Sequence, residues 1–452
     1  MTRTVRRAGA FAAVGVLSLF APVLGAAAAA PFVAVAGLAA FVVREGWLFE
    51  VFARSGDREA GTLYGLAGFA LAAAGLALFI PLFDMPPFVF VVSILVLSGG
   101  NLAEVVATHY DRRPVFATTA FVIGGALFGL AGHLVVALAD PASVPPLAVL
   151  YAASAGLLAA LVRTVFSRRD DPLVLFSAGL FVWVLYALPL SNSPSGIAAA
   201  VAVSAGFGVL AYVLDVATVS GMVTGVLAGL VIIVLGGFGW FALLIAFFGI
   251  GGLSSRFGYE RKLERGVAED NDGARGSANV LANAAVALAA VVGFAASPLF
   301  PVENTVFVFV FAGSLAAAMA DTLSSEVGGV FDSPRLITTL EPVPPGTDGG
   351  VTWQGVLAGV AGSVLVAGLA GLALPVSLIG VVVIATTGVI GTVVDSLLGA
   401  LVENYRFETV MGGFARGLGD RQINNTAVNF LATLAAGAAC GGLAVTVGLA
   451  PL

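Results

Sequence analysis

The sequence is a succession of apolar runs, each of about 17 to 25 residues, separated by polar turns. Runs of this length predict helices that span a membrane, because about 20 helical residues cross the hydrocarbon layer and satisfy their own backbone hydrogen bonds. Hydrophobic residues make up 59% of the chain and charged residues 10%, which is more apolar surface than one soluble core can bury. We therefore expect an all-α polytopic membrane protein with about fifteen spans. The candidate spans are 8–26, 28–43, 60–83, 87–106, 115–138, 145–166, 172–189, 196–214, 218–235, 238–253, 277–298, 304–321, 353–373, 377–399 and 424–447.

Basic residues segregate between the two sets of loops. If the N-terminus is cytoplasmic, all 20 Lys and Arg residues lie in cytoplasmic loops or at cytoplasmic span ends, whereas the opposite loops hold Asp84, Asp140 and Glu303. Positive charge accumulates on the cytoplasmic side, so the pattern predicts a cytoplasmic N-terminus, an external C-terminus and a cell-membrane location. Residues 1–30 resemble a secretory signal, but cleavage would leave the next span without a spacer, so we expect them to be retained.

Three polar segments interrupt the apolar pattern, at 254–276, 322–352 and 402–423. In the predicted topology all three are cytoplasmic. The middle segment, of about thirty residues between two spans, is long for a loop inside a compact fold, and such loops are usually functional. We predict that the three segments meet at one membrane face and form a site for phosphate and metal. The basic residues of the first segment would also suit an anchor to anionic lipids.

Two aspartates lie at matched depth near cytoplasmic span ends. Asp321 ends an inward-running span, and Asp395 lies about one turn before the end of another. A carboxylate at that depth is costly unless it is paired, hydrated or bound to a metal. We predict that Asp321 and Asp395 hold Mg²⁺ and act in catalysis, with Glu326 and Asp348 as further oxygen ligands. The alternative is that each acid reaches headgroup water from its helix end.

Four asparagines occur in two pairs near the predicted cytoplasmic starts of helices. Asn279 and Asn283 are four residues apart on one span, and Asn425 and Asn429 are four apart on another, so each pair shares a helix face. They predict either hydrogen bonds between helices or the polar wall of a pocket shared with the aspartates. In the second interpretation Asn279 and Asn283 orient the acceptor, whereas Asn425 and Asn429 bind substrate.

Phosphate binding requires positive charge and free backbone N–H groups. Arg275 precedes one span, and Gly349 and Gly350, within GTDGGVTWQG, precede another. We predict that this guanidinium and the N–H groups at the two helix starts bind phosphates. No GxxxxGK[ST] motif is present, which excludes a P-loop enzyme, and no zinc or Ser-His-Asp arrangement stands out.

An internal similarity divides the chain. FVFVVSILVLSGGNLAEVV, from Phe88, is similar to FVFVFAGSLAAAMADTLSSEV, from Phe307, with Asn101 in the place of Asp321. A repeat of this kind would be parallel, and its first copy would have lost the acid and act as a scaffold; chance similarity between Ala/Gly/Val-rich helices is the alternative. We predict an N-terminal multi-helix membrane region over 1–200 and a membrane core over 201–452 that carries the three polar segments.

From about residue 205 onward, several motifs resemble the integral membrane family called domain of unknown function ninety-two. They are VSGMVTGVLAGLVI, ERGVAEDNDGARGSANVLANAAV, AAAMADTLSSEVG, PRLITTLEPVPPGTDGGVTWQG and GTVVDSLLGA. That family includes animal transmembrane protein nineteen and plant phytyl-phosphate kinases. TDGGVTWQG is also distantly similar to a turn of phosphatidate cytidylyltransferases and dolichol kinases, although Val351 and Gln354 replace its lysine and its acid. GTLYG and LSGGNLAEVV, in the first half, resemble a polyprenol-kinase segment.

The resemblance implies a membrane-embedded, Mg²⁺-dependent phosphotransferase. Its acceptor would be an isoprenoid alcohol or, more in keeping with the family, an isoprenoid monophosphate, and its co-substrate a nucleoside triphosphate, with CTP suggested by the family. The expected partner is therefore a membrane lipid or isoprenoid phosphate, and no nucleic acid. Two other classes stay open. A transporter or lipid flippase predicts ionisable groups or broken helices near the membrane midplane, and a non-catalytic scaffold would tolerate loss of both aspartates.

Overall fold

The computed structural model describes residues 2–139, 147–166, 171–267, 274–404 and 425–450, with the backbone alone at 402–404. Within these ranges the chain is almost entirely helical, and one sheet consists of two short strands. The all-α membrane class predicted from the sequence is confirmed. Contacts divide the chain into two compact units, Met1–Gly206 and Phe207–Leu452. That the first unit is a scaffold copy of a kinase-like region, and the second a membrane core, stays a prediction.

Helices α1 to α12 begin in the N-terminal unit. They are α1 Arg3–Gly15, α2 Ala21–Leu24, α3 Ala30–Gly37, α4 Gly46–Phe52, α5 Ser55–Ala60, α6 Tyr64–Ala77, α7 Phe79–Phe83, α8 Pro87–Tyr110, α9 Pro114–Ala139, α10 Ala148–Val165, α11 Asp171–Ala187 and α12 Pro194–Val213. The innermost of them is α8, which packs against α1, α9, α10 and α11 and buries every side chain from Phe88 to Ser98. A helix that is apolar all round belongs at the centre of a bundle.

The C-terminal unit contains the remaining helices and the strand pair. They are α13 Val219–Gly236, α14 Phe238–Ser254, α15 Tyr259–Glu264, α16 Ser277–Ala296, α17 Asn304–Gly328, α18 Trp353–Ala373, α19 Leu378–Asn404 and α20 Asn425–Thr446, with β1 Arg335–Leu336 and β2 Gly350–Val351. The strands pair antiparallel, Arg335 opposite Val351 and Leu336 opposite Gly350.

The number of helices that can cross a membrane differs from the sequence prediction. In the described ranges 12 helices are long and apolar enough, or up to 13 if one bent pair counts as a span. Ala30–Val42 occupies the span predicted over 28–43 and forms a bent pair with Gly46–Phe52, which turns by 110°; the chain leaves helical geometry at Val43, and Gly46 takes a positive φ of 84°. Helices α11 and α14 occupy two further predicted spans but have only 17 residues each.

Helix α17 is the centre of the C-terminal unit. It packs against α14, α16, α18, α19 and α20, and its side chains from Phe311 to Ala320 are buried. Seven of these ten residues are Ala, Gly or Ser, and small residues let neighbouring helices approach closely. Asp321 follows this stretch directly, so the first charged residue of α17 lies among several packed helices.

Close packing between α17 and α18 depends on Gly359. A Cβ atom at Gly359 would lie 3.0 Å from the carbonyl oxygen of Ala320, whereas a Cβ at Gly368 of the same helix meets nothing within 4 Å. We expect Gly359→Val to destabilise the protein by about 1–3 kcal/mol, because overpacking forces the helices apart. Thermal unfolding of the purified protein in detergent measures this, with Gly368→Val as the matched control. Equal unfolding temperatures for the two variants would show that the α17–α18 contact does not depend on this glycine.

The middle polar segment is folded between α17 and α18. Ile337 N donates to the carbonyl oxygen of Gly349 (3.0 Å), and Val343 N donates to that of Pro334 (2.9 Å). Ser333 and Leu340 adopt positive φ angles of 60° and 61°, which the turns of the segment require. The backbone of this loop is therefore held by its own hydrogen bonds and by the strand pair.

Several helix and loop boundaries differ from those predicted from the sequence. Helix α17 continues to Gly328, so the span predicted to end at 321 is two turns longer and the loop begins at Gly329. The short helix α15 lies within the first polar segment. Residues 268–273 of that segment, and most of the third segment (405–424), lie outside the described residues. The side of the membrane that each terminus faces stays a prediction.

Candidate functional site

Asp321 and Asp395 contact each other. Their side chains lie within hydrogen-bonding distance, although 74 positions separate them in the numbering of the chain. Both are half-buried. Two carboxylates in contact repel each other unless a proton or a cation lies between them, so a positive ion would be favoured at this pair.

Packing of α17 against α19 explains the contact. A Cβ atom at Gly388 would lie 2.8 Å from the Cβ of Ala316, and one at Gly391 would lie 2.5 Å from the Cβ of Ala317. The two helices therefore touch through residues without bulky side chains and run in the same direction. Asp321 and Asp395 follow Ala317 and Gly391 by one turn each, which brings their carboxylates together.

Two of the predicted asparagines join this pair. With the Asn429 amide oriented so that its nitrogen faces the neighbouring oxygens, it donates to Asp395 Oδ1 (3.3 Å) and to Asn425 Oδ1 (3.1 Å). Helix α20 therefore adds a chain of amides to the two carboxylates. A donor on Asp395 fixes the orientation of that carboxylate.

The carboxylates form part of the wall of a cavity of about 330 Å³. Its acidic lining residues are Asp321, Asp348 and Asp395, and its lining contains no Lys or Arg in the described part of the chain. The negative charge of Asp348, in the middle polar segment, acts on Asp395. The rest of the wall comes mainly from the end of α17, the glycine-rich loop and the start of α18. It includes Ser324, Ser325, Gly346, Thr347, Gly349, Gly350, Thr352, Ser396 and Asn425.

The glycine-rich loop lies against the end of α19. A Cβ atom at Gly349, where φ is 77°, would lie 2.6 Å from the carbonyl oxygen of Ser396 and 2.7 Å from the backbone nitrogen of Ala400, so only glycine allows this approach. The N–H of Gly350 donates to the carbonyl oxygen of Thr347 (2.9 Å). The prediction that the Gly350 N–H binds phosphate therefore fails, because that donor already has a partner; Gly349 remains a candidate.

Helix α18 begins beside the same cavity. Its N-cap is Thr352, whose hydroxyl accepts a hydrogen bond from Gly355 N (3.1 Å). The other N–H groups of the first turn have no partner within the helix and carry the positive end of its dipole. A helix start at a cavity wall is a suitable place for a phosphate.

The structure does not bring Glu326 into the cavity. Its carboxylate is buried and paired with the ammonium group of Lys262, which also donates to the carbonyl oxygen of Ser255 (2.7 Å). The prediction that Glu326 binds the metal is therefore wrong on geometry. Helical spacing is the physical reason: Glu326 lies five residues after Asp321 and points to a different side of α17.

Arg275, Asn279 and Asn283 are not among the residues that line the cavity. The Arg275 guanidinium lies over the rings of Phe247 and Phe248, at 5.2 and 5.8 Å from their centroids, yet it remains within electrostatic range of Asp321. Asn283 Nδ2 donates to the carbonyl oxygen of Asn279 (2.9 Å). The predicted role of the two asparagines in orienting an acceptor stays a prediction.

Sequence analysis missed the hydroxyl groups of the cavity wall. Ser324 and Ser325 lie three and four residues after Asp321, on the same helix face, and Ser396 follows Asp395 directly. Helical spacing from Asp321 would have found the two serines of α17. Thr347 and Thr352 line the cavity because the middle segment folds back on itself, which no local spacing indicates.

The donor atoms of the cavity suit Mg²⁺. It is a hard cation that prefers oxygen, and it usually takes one or two carboxylates together with water and substrate phosphates. Asp321 and Asp395 supply two carboxylates, and Asn425 and the serines supply neutral oxygens nearby. Among the described residues no group of three or more His, Cys, Asp or Glu could enclose a metal ion.

Comparison with known proteins places the C-terminal unit in a family. The model of the family Integral membrane protein DUF92 matches residues 202–437. An uncharacterized membrane protein of Methanocaldococcus jannaschii, MJ0933, is 35% identical over 219 residues, which are 48% of this chain and 81% of that protein. The uncharacterized membrane protein sll0875 of Synechocystis sp. is 32% identical over 176 residues, 38% of this chain and 67% of that protein.

A plant protein also matches, over a shorter stretch. The chloroplastic protein VTE6 of Arabidopsis thaliana is 33% identical over 131 residues, which are 27% of this chain and 37% of that protein. No solved structure matches the chain with statistical significance. The family match covers more than half of the chain and includes the aspartate pair and the glycine-rich loop. The chain therefore belongs to the integral membrane protein family DUF92.

Proposed function

We propose that the C-terminal unit is a Mg²⁺-dependent phosphotransferase that acts on an isoprenoid phosphate or alcohol in the membrane. The donor is a nucleoside triphosphate, with CTP suggested by the resemblance to plant phytyl-phosphate kinases. One observation carries the proposal: Asp321 and Asp395 touch each other at the wall of a cavity that also contains a glycine-rich loop and a helix start. Phosphoryl transfer uses carboxylates that bind a cation and, beside them, N–H groups that bind the anionic phosphates.

Asp321 and Asp395 would hold the ion, and Asp348 would contact it through water. A bound Mg²⁺ would supply positive charge that offsets the negative charge developing during transfer. The three aspartates of the lining repel a phosphate while no cation is present. Phosphate binding should therefore require the divalent ion, and a chelator should abolish it.

The other cavity groups would bind and orient the phosphates. The Gly349 N–H, the start of α18 and the hydroxyl groups of Ser324 and Ser325 line the same cavity as the carboxylates. Arg275 would attract the phosphates by its charge from outside the lining. Such groups hold the phosphate donor and the lipid acceptor in line, and they do not need to reorganise during transfer.

The acceptor would lie partly in the lipid. Helix α18 exposes apolar side chains next to its start, including Val356 (47%) and Leu357 (58%), so an isoprenoid tail has an apolar surface beside the cavity. A phosphate acceptor is already ionised and needs no strong general base. Because nucleotides are cytoplasmic, the proposal also requires the cavity to open to the cytoplasm, as the basic residues of the sequence predict.

A direct assay tests the proposal. We expect purified full-length protein with Mg²⁺, γ-labelled CTP and geranylgeranyl phosphate to transfer label to a lipid diphosphate, and EDTA to stop the transfer. Geranylgeraniol in parallel distinguishes an alcohol acceptor from a monophosphate acceptor, and ATP, GTP and UTP identify the donor. Absence of labelled lipid with every donor and both acceptors contradicts the proposal.

A transporter or lipid flippase is the second candidate. Its supporting observation is the pair of intramembrane carboxylates, since acids within spans mark ion pathways in transporters. Both acids, however, lie in the C-terminal halves of parallel helices, seven residues before Gly328 in α17 and nine before Asn404 in α19, whereas transporter sites lie near the membrane midplane. Proteoliposomes that move a labelled isoprenoid phosphate between leaflets without nucleotide, and with no transfer in the assay above, would favour this candidate.

A further inference from the structure

The N-terminal unit contains a polar cavity of its own, of about 310 Å³. Three arginines line it, Arg7 of α1, Arg54 before α5 and Arg163 of α10, together with two acids, Glu104 of α8 and Asp171 of α11. The charged lining therefore sums to three positive and two negative groups. Guanidinium groups that converge on a cavity are the usual means of binding phosphate.

The arginines differ in how they are paired. Arg163 contacts Glu104 at 2.6 Å, and Arg54 contacts Asp171 at 2.9 Å. Arg7 has no carboxylate partner in the described ranges; its Nη1 lies 3.4 Å from the carbonyl oxygen of Ala53. The nearby carboxylate of Asp57 accepts hydrogen bonds from the backbone nitrogens of Arg54 and Gly65. Arg7 is therefore the arginine whose positive charge an anionic ligand would balance.

Two of the guanidinium groups are held in place before any ligand binds. Arg163 lies over the ring of Phe121, 4.6 Å from its centroid, and its side chain is only 9% exposed. Arg54 lies over the ring of Phe11 at 5.2 Å, and a Cβ atom at Gly65 would lie 2.8 Å from its Nε. The absence of a side chain at Gly65 leaves room for this arginine. A preorganised guanidinium loses little entropy when it binds an oxyanion.

The described lining residues of the two cavities carry net charges of opposite sign, positive in the N-terminal unit and negative in the C-terminal unit. Asn101, Glu104, Val105 and Thr108 of α8 line the first cavity, and Asp321, Ser324, Ser325 and Gly328 of α17 line the second. The spacing of the two sets is the same, so one face of each central helix forms a cavity wall. Among the residues that the structure describes, the second cavity is lined by aspartates and by no basic residue, whereas the first has asparagine and a surplus of arginine. A phosphate needs a cation in the second cavity and none in the first.

We propose that the N-terminal cavity binds the phosphate group of a phosphate monoester directly through Arg7, Arg54 and Arg163, without a divalent cation. Apolar side chains of the lining, Phe11, Phe69 and Leu97, would contact the first carbons of an attached chain, so the chemistry fits a lipid phosphate as well as free phosphate. The volume is at the lower end of ligand pockets, about 300–1,000 Å³, which suits a headgroup whose tail extends outside. This inference does not depend on the phosphotransferase activity proposed for the C-terminal unit.

Calorimetric binding to the full-length protein in detergent, with EDTA present, tests the site. The probes are dioctanoyl phosphatidate, dioctanoylglycerol as its uncharged counterpart, and inorganic phosphate. We expect phosphatidate to bind and dioctanoylglycerol not to bind. Inorganic phosphate that binds as tightly as phosphatidate would identify free phosphate as the ligand of the same site. Equal binding of dioctanoylglycerol, or a requirement for Mg²⁺, would overturn the proposal.

Variants locate the binding. Arg7→Gln should weaken phosphatidate binding by about tenfold or more, because it removes a charge-assisted hydrogen bond. Arg6→Gln removes the same charge from an exposed neighbour on α1 and should change the affinity by less than about twofold. Asn101→Asp adds negative charge to the wall and should also weaken binding, whereas Asp321→Asn should leave it unchanged. Native affinity in both Arg7→Gln and Asn101→Asp, or loss of binding in Asp321→Asn, would refute the assignment.

Discussion

Asp321→Asn and Asp395→Asn should each lower kcat/KM for transfer to the isoprenoid acceptor by roughly 10²–10³-fold, the usual cost of removing one preorganised electrostatic group from a transition state. Each substitution removes one of the two carboxylates that would hold Mg²⁺. The double variant should be little worse than either single variant, because groups that act as a unit are not additive. Steady-state kinetics with labelled CTP over a range of Mg²⁺ concentrations measure the loss, which higher Mg²⁺ should partly reverse.

Stability distinguishes a catalytic from a structural role for this pair. Neutralising one of two touching carboxylates relieves their repulsion, so Asp321→Asn should unfold at the native temperature or above it. Asp332→Asn serves as the matched control, because Asp332 is an exposed acid of the same segment that pairs with Arg265 at the surface. The control should keep its activity within about twofold, as expected for a surface ion pair. Native turnover in the variant that lacks both Asp321 and Asp395 would exclude the proposed site.

Lys262→Met should destabilise the C-terminal unit by about 3–5 kcal/mol, because it leaves the buried carboxylate of Glu326 without its partner. The side chains of the pair are only 3% and 8% exposed. They connect α15 to the last turn of α17, where Glu326 lies five residues after Asp321. The unfolding temperature of the purified protein in detergent measures the loss.

The double variant Lys262→Met, Glu326→Met should recover most of that stability, because replacing a whole buried ion pair by apolar groups is often neutral or favourable. Asp332→Asn, which removes the exposed partner of Arg265 and leaves the guanidinium its backbone acceptors Gly329 and Phe331, should cost no more than about 1 kcal/mol. If the double variant were as unstable as Lys262→Met, Glu326 would have a role other than pairing. A metal-binding role for Glu326 would then be open again.

The amino-acid sequence by itself determined the membrane class and the positions of the polar segments. Long apolar runs dictate spanning helices whatever their neighbours are, since the length of a span and the cost of an unpaired backbone group in lipid are local properties. The sequence also singled out Asp321 and Asp395, because a carboxylate within a span is costly wherever it lies. Helical spacing indicated that Asn425 and Asn429 share a face, and both lie beside Asp395.

Only the tertiary structure decided which of these groups meet. Asp321 and Asp395 touch because Ala316 and Ala317 pack against Gly388 and Gly391, and a contact between distant segments leaves no periodic signal in either one. The same limit explains the errors: Glu326 has the residue type of a ligand, but the fold pairs it with Lys262. The arginine cavity of the N-terminal unit is likewise a product of packing, since residues from Arg7 to Asp171 converge on it. Residue chemistry can be read locally, whereas the partner of each charged group depends on how the helices pack.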